Sequence, residues 1–257
     1  QSLFKLVTQM ELFNYFFSLL YNSSLNIGRI APVFYMLPFL NQNILTGTTR
    51  FTVIFIVAIG MFPLPSEMDT NISEYSTLLI IVKEVFIGLI LGVILTFPFW
   101  VFLAFGSIID NQRGATLSST IDPATGIDTS EMSNFLNWFA CSVYLQNGGM
   151  RLVLDTLRKS YDINPVNTLT APDIYSVIEL INECVSRALL LCAPIISMLL
   201  FSEIILGLLS RFAPQMNAFS VSLTVKSAVA FIVLILYFGG IVSNYIFDLF
   251  LDVSSFL

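Results

Sequence analysis

The chain has 257 residues, 56% of them hydrophobic and only 11% charged, with mean hydropathy +0.85 and a formal net charge of −6. Soluble domains carry about 25% charged residues, so this chain is an integral membrane protein or lies buried in a large hydrophobic assembly. Its eleven Lys and Arg residues are scattered, which excludes nucleic-acid binding, and the absence of histidine removes Ser-His-Asp, Cys-His and His-ligated metal chemistry.

In chain order, apolar runs cover 11–21, 30–40, 51–65, 78–109, 135–154, 174–210 and 219–251. A simple membrane-spanning helix needs about 20 apolar residues, and these runs are mostly shorter or longer than that. Strand alternation is absent, and Leu, Ile and Phe recur on every side of the runs, so they read as helices. The long runs contain breakers: Pro98 in the first, Pro194 in the second, and Gly239 with Gly240 in the third. Such breakers predict kinked helices or helical hairpins in an all-α protein of about six to nine helical pieces. The first run lacks a basic flank followed by a small-residue cleavage site, so no cleavable signal peptide is expected.

Cys141, Cys184 and Cys192 lie in apolar runs without C-x-x-C spacing and read as small buried hydrophobes. No catalytic residue, metal site or cofactor is expected. An intramembrane aspartyl protease would need paired Asp residues inside apolar helices, and the Asp residues here fall mostly in connections or near the C-terminus. Residues 66–77 hold three acids and no Lys or Arg, which hints that they face away from the cytoplasm.

Several charges lie within or beside the oil: Lys83 and Glu84, Arg187, Glu203, Arg211 and Lys226. Charges in apolar helices face a partner helix or water, and the mixed signs suit pairing better than a proton relay. Glu84 and Glu203 are each expected to pair with Lys83, Lys226, Arg187 or Arg211, within the subunit or between subunits. Gly88 and Gly92 follow Glu84 at spacings of four, and Gly207 follows Glu203 in the same way. That spacing puts each glycine on the face of its acid and marks close packing. Gln215 and Asn217 beside Pro214 are expected to cap exposed backbone at a helix break.

The polar stretch 110–131 is long for a connection. Its residues alone are compatible with a solvated inter-helix loop or with a functional one.

The segments KEVFIGLILG (83–92), GSIIDNQRGATLSSTIDPATGIDTSE (106–131) and FSEIILGLLSRFAPQMNAFSVSLTVK (201–226), together with Arg29, Pro38 and Arg50, resemble the SpaR/YscT/HrcT family of type III secretion export-apparatus proteins. That family is related to the flagellar export protein FliR. Ser222 and Thr224 stand where flagellar members tend to carry Gly and Pro, so the chain is similar to the virulence-injectisome branch.

The resemblance implies a single membrane-embedded domain over 1–257, whose hairpins wind with other subunits into a spiral hetero-oligomeric export gate. The gate would sit in the bacterial inner membrane and project toward the periplasm. Its implied partners are the R-type and S-type export subunits, the U-type switch protein, inner rod and needle proteins, exported unfolded chains and membrane lipid. The resemblance also implies that the 110–131 loop helps plug the closed pore through Asp110, Asn111, Gln112, Arg113, Gly114, Ala115, Thr116, Asp122 and Pro123. Asp110 and Arg113 would tie that loop to its neighbours. The competing functions are a secondary transporter or ion channel, and an intramembrane enzyme.

Overall fold

The computed structural model describes residues 2–40, 45–60, 74–114, 130–166, 174–212 and 218–237. They form helices α1 (Ser2–Met36), α2 (Gly47–Gly60), α3 (Glu74–Arg113), α4 (Glu131–Gln146), α5 (Gly149–Ile163), α6 (Ile174–Phe212) and α7 (Ala218–Tyr237), with a 3-10 turn at Pro38–Leu40. No strand occurs among the described residues, so the expected all-α class holds. Leu78–Arg113 and Val185–Phe212 are long and apolar enough to cross a membrane by length and composition.

Of the two expectations for the long runs, kinked helices or helical hairpins, a chain reversal at Pro98 or Pro194 does not occur. Pro98 lies inside the 40-residue helix α3, and Pro194 lies inside the 39-residue helix α6. A proline gives no N–H to the carbonyl four residues back, but its fixed φ is helical, so one proline weakens the ladder without reversing the chain. Gly239 and Gly240 lie outside the described residues. The apolar run 11–21 and most of the run 30–40 lie in one helix, α1, which passes through Pro32 and ends at Met36.

Residues 155–163, expected in a connection, belong to α5. Its Val153, Thr156, Leu157 and Ser160 are buried, while Arg151, Asp155, Arg158, Lys159 and Asp162 are exposed. That is a helix with one wet face, which a search for continuous apolarity overlooks. Gly148, at φ 80°, makes the left-handed turn between α4 and α5 that only glycine takes without strain.

The chain, expected to form a single domain, divides into two compact units. The first comprises 1–96 and 150–177, and the second 97–149 and 178–256, so α3 passes from one to the other next to Pro98. In the first unit α1 packs on α2, and Ile30, Val33, Phe34, Ile54, Ile87, Leu91, Val153 and Leu157 form the core. In the second, Phe99, Phe102, Phe105, Ile109, Leu136, Ala140, Leu191 and Ile195 are buried, and Tyr144 meets the Phe99 ring edge-on at 5.4 Å.

Candidate functional site

Two polar centres interrupt these cores. In the first unit, Arg29 on α1 and Glu84 on α3 are both fully buried. Arg29 donates from Nε to Glu84 Oε2 at 2.6 Å and from Nη2 to Oε1 at 3.0 Å, a bidentate grip. Lys83 Nζ lies 3.2 Å from the same carboxylate. The remaining donors go to one place, the C-terminal end of α5. Arg29 donates to the Ser160 and Asn164 carbonyls at 2.9 and 2.8 Å, and Lys83 to those of Pro165 and Val166 at 2.8 and 3.1 Å.

Carbonyls at and just past a helix C-terminus carry partial negative charge, and here the Ser160 carbonyl accepts from the Asn164 N–H at 3.0 Å as well as from Arg29. Two cations, one carboxylate and one helix terminus therefore balance one another inside the protein. The Arg29 guanidinium also lies over the Tyr161 ring, 3.9 Å from its centre. Burial pushes the Tyr161 hydroxyl well above its ordinary range, so the ring under the cation stays neutral.

Gly88 makes this geometry possible. A Cβ there would collide with the Arg29 carbonyl, and one on Gly92 would press on Met36 Sδ. Arg50, the other arginine singled out in the N-terminal pattern, is buried with its guanidinium 4.7 Å from the Tyr35 ring centre. Its Nε and Nη2 have no hydrogen-bond partner among the described residues.

The second centre lies at the start of the long polar stretch. Asp110 to Arg113 form the last turn of α3, which corrects the expected loop boundary of 110–131. Gly114, at φ 78°, ends the helix and donates to the Asn111 carbonyl at 3.2 Å. The Asp110 carboxylate is buried. It accepts from Arg113 Nε at 2.7 Å, from Ser130 Oγ at 2.6 Å and from the Met132 N–H at 3.0 Å. One side chain thus joins the two ends of the 115–129 segment. Ser130 also caps α4 by accepting from the Ser133 N–H, and Ser133 Oγ donates to the Leu103 carbonyl at 2.9 Å. Gly106 allows that approach, since a Cβ there would strike the Ser133 backbone. The Arg113 guanidinium lies 5.1 Å from the Phe231 ring centre on α7.

Of the other plug residues expected, Asn111 and Gln112 are exposed on α3. Ala115, Thr116, Asp122 and Pro123 lie outside the described residues, as do Gln215 and Asn217. Glu203 pairs with Lys226 at 2.8 Å, while Arg187 pairs with Glu183 one turn back on α6. Arg211 is exposed, and a Cβ on Gly207 would meet nothing within 4 Å. Sequence reasoning did not match Arg29 with Glu84, because 55 residues separate them. It also missed the α5 carbonyls, which are not legible in side-chain identity.

The family of bacterial export proteins, family 1, matches residues 20–250. The chain belongs to this family. Among its relatives, the surface presentation of antigens protein SpaR of Salmonella typhimurium is 48% identical over 224 residues, 87% of this chain and 85% of the relative. The Yop proteins translocation protein T of Yersinia pestis is 29% identical over 220 residues, covering 83% and 84%. The flagellar biosynthetic protein FliR of Bacillus subtilis is 27% identical over 213 residues, covering 80% and 82%. This bacterial export protein is thus nearer in sequence to SpaR than to that flagellar relative. Both buried centres lie inside the matched range.

Proposed function

We propose that this export protein is a structural and gating subunit of a type III secretion export apparatus, of the virulence-injectisome branch. It forms part of the inner-membrane channel through which unfolded effector and needle proteins leave the cell. The observation that carries this reading is the 48% identity to SpaR over 87% of the chain. Further support comes from two more distant relatives, a Yop proteins translocation protein and the secretion system apparatus protein SsaT.

The subunit works by being held in shape rather than by chemistry. The Arg29–Glu84 centre fixes α1, α3 and the end of α5 to one another. The Asp110 centre fixes the two ends between which the 115–129 segment runs, and that segment serves as the plug of the gate. Polar, small residues suit a loop that lines water at membrane depth. With Leu117, Ile121 and Ile127 as its only large apolar residues, the segment also offers little on which a passing unfolded chain would stick. The R-type and S-type export subunits, the U-type switch protein and the rod and needle proteins are its partners, and the assembly projects toward the periplasm. A transporter reading is less well supported, because Glu84 is closed off by two cations and is not available to a moving ion.

Removing the protein should abolish secretion. Deleting 115–120 while leaving Asp110, Arg113 and Ser130 in place should make the inner membrane leak ions with the apparatus still assembled. Unchanged conductance and unchanged secretion in that deletion would reduce the segment to a connector.

A further inference from the structure

The chain carries the pattern Glu-x-x-x-Gly twice, and the two copies are in different states. In α3 the pattern is filled. The backbone of α1 lies across Gly88, the Arg29 side chain reaches Glu84, and a Cβ added to Gly28 would already touch the Glu84 Cβ, at 3.4 Å. With Lys83, that carboxylate has two cations and no exposure. In α6 the pattern is half filled. Glu203 receives Lys226 Nζ on Oε1 at 2.8 Å, yet its side chain is 56% exposed, and among the described residues the space over Gly207 is open.

The surrounding face is apolar and uncovered. Phe201, Ile204, Ile205, Leu208 and Phe212 are all exposed. A half-exposed carboxylate amid such side chains is costly against lipid and marks a contact instead. A second cation for it is not to be found in its own unit. Arg113 is held by Asp110, Arg187 by Glu183, and Arg211 lies on the same helix, about 12 Å along the axis from Glu203. None of the residues outside the described set is Lys or Arg.

We infer that the α6 pattern is a seat for a helix of another subunit. That helix is apolar, crosses with its backbone against Gly207, and carries an Arg or Lys, preceded by a small residue, that completes the coordination of Glu203. The filled copy in α3 is the template for both the chemistry and the close approach. The inference rests on the reading of the chain as an apparatus subunit and adds the surface by which it joins.

The test uses the complete apparatus in native membranes, with a photo-crosslinking residue at Ile204 or Leu208 and, as a control, at Leu236. The expected result is an adduct with another subunit from 204 or 208, whose crosslinked peptide lies within one helical turn of a Lys or Arg. Gly207→Phe, which fills the seat, should lower that adduct about tenfold, and Glu203→Gln should lower it several-fold, with the amount of this protein in the membrane unchanged. Crosslinking to lipid alone, or to a peptide with no basic residue nearby, would overturn the inference. So would an adduct indifferent to both substitutions. Loss of secretion on deleting the whole protein is scored in the same strain. If secretion persists, the apparatus reading fails; if secretion is lost but position 204 meets only lipid, the seat alone fails.

Discussion

Arg29 and Glu84 meet through two hydrogen bonds, at 2.6 and 3.0 Å, with neither side chain exposed. Removing one partner leaves a buried charge uncompensated. Arg29→Ala or Glu84→Ala should cost about 3–5 kcal/mol, read as the denaturation midpoint of the detergent-solubilised protein. The apolar pair Arg29→Met with Glu84→Leu should cost clearly less than the two single changes added together. Its deficit comes from the α5 carbonyls that lose Arg29, so a Lys83→Met change on that background should deepen it. Strict additivity of the two single losses would refute the coupling.

The glycines separate packing within the chain from packing outside it. Gly88→Ala places a methyl group into the Arg29 carbonyl and should destabilise the isolated protein by about 1–3 kcal/mol. Gly207→Ala meets open space in a helix interior and should stabilise the isolated protein by about 0.5–1 kcal/mol. Thermal midpoints of the two purified variants should therefore move in opposite directions. Equal losses would mean that α6 is covered by its own chain.

Helix existence and the all-α class were legible because apolarity without period-2 alternation has one reading. The partner of Glu203 was narrowed only to four cations, Lys83, Lys226, Arg187 and Arg211, and the structure puts Lys226 there. What could not be read is what depends on backbone. Carbonyls of the last turn of α5 and of the residues just after it attract Arg29 and Lys83 although no side chain there is acidic at the contact, and Asp110 takes the Met132 amide, which any residue at that position would offer. The boundary of the polar stretch was misplaced for a similar reason. Asp110, Asn111, Gln112 and Arg113 look like loop by composition, but the Asp110–Arg113 pair at spacing three stabilises a last helical turn. The wet face of α5 hid a helix, because apolarity was sought in continuous runs.

Cys141 should be inert in the folded protein. Burial on α4 pushes its thiol up to about 12 from 9.0, against a smaller opposing pull from a backbone hydrogen bond. Its thiolate fraction at pH 8 is thereby lowered about a thousandfold. In a background with Cys184 and Cys192 replaced by Ser, a maleimide at pH 8 should leave the native protein unlabelled and label it stoichiometrically in SDS. Labelling at equal rates in both states would show that α4 opens readily in the native protein.

The Asp110 centre sets a sharper test, since the same carboxylate serves three partners from both ends of one segment. Asp110→Asn keeps the shape but turns charge-assisted bonds into neutral ones, at a cost of about 1.5–3 kcal/mol. Ser130→Ala removes one partner and the α4 cap together, at about 1 kcal/mol. If the centre only stabilises the fold, both variants should lower the midpoint and leave membrane conductance alone. If it holds the base of the gate, conductance should rise in both, more in Asp110→Asn, while secretion persists. Arg113 distinguishes the two further, because its guanidinium joins Asp110 to Phe231 on α7. Arg113→Lys retains the charge but loses the flat face that lies over the ring, so it should leak less than Asp110→Asn and more than the wild type. Phe231→Leu should match it, since both changes remove the same stacking contact while Asp110 keeps its cation and its hold on Ser130 and Met132.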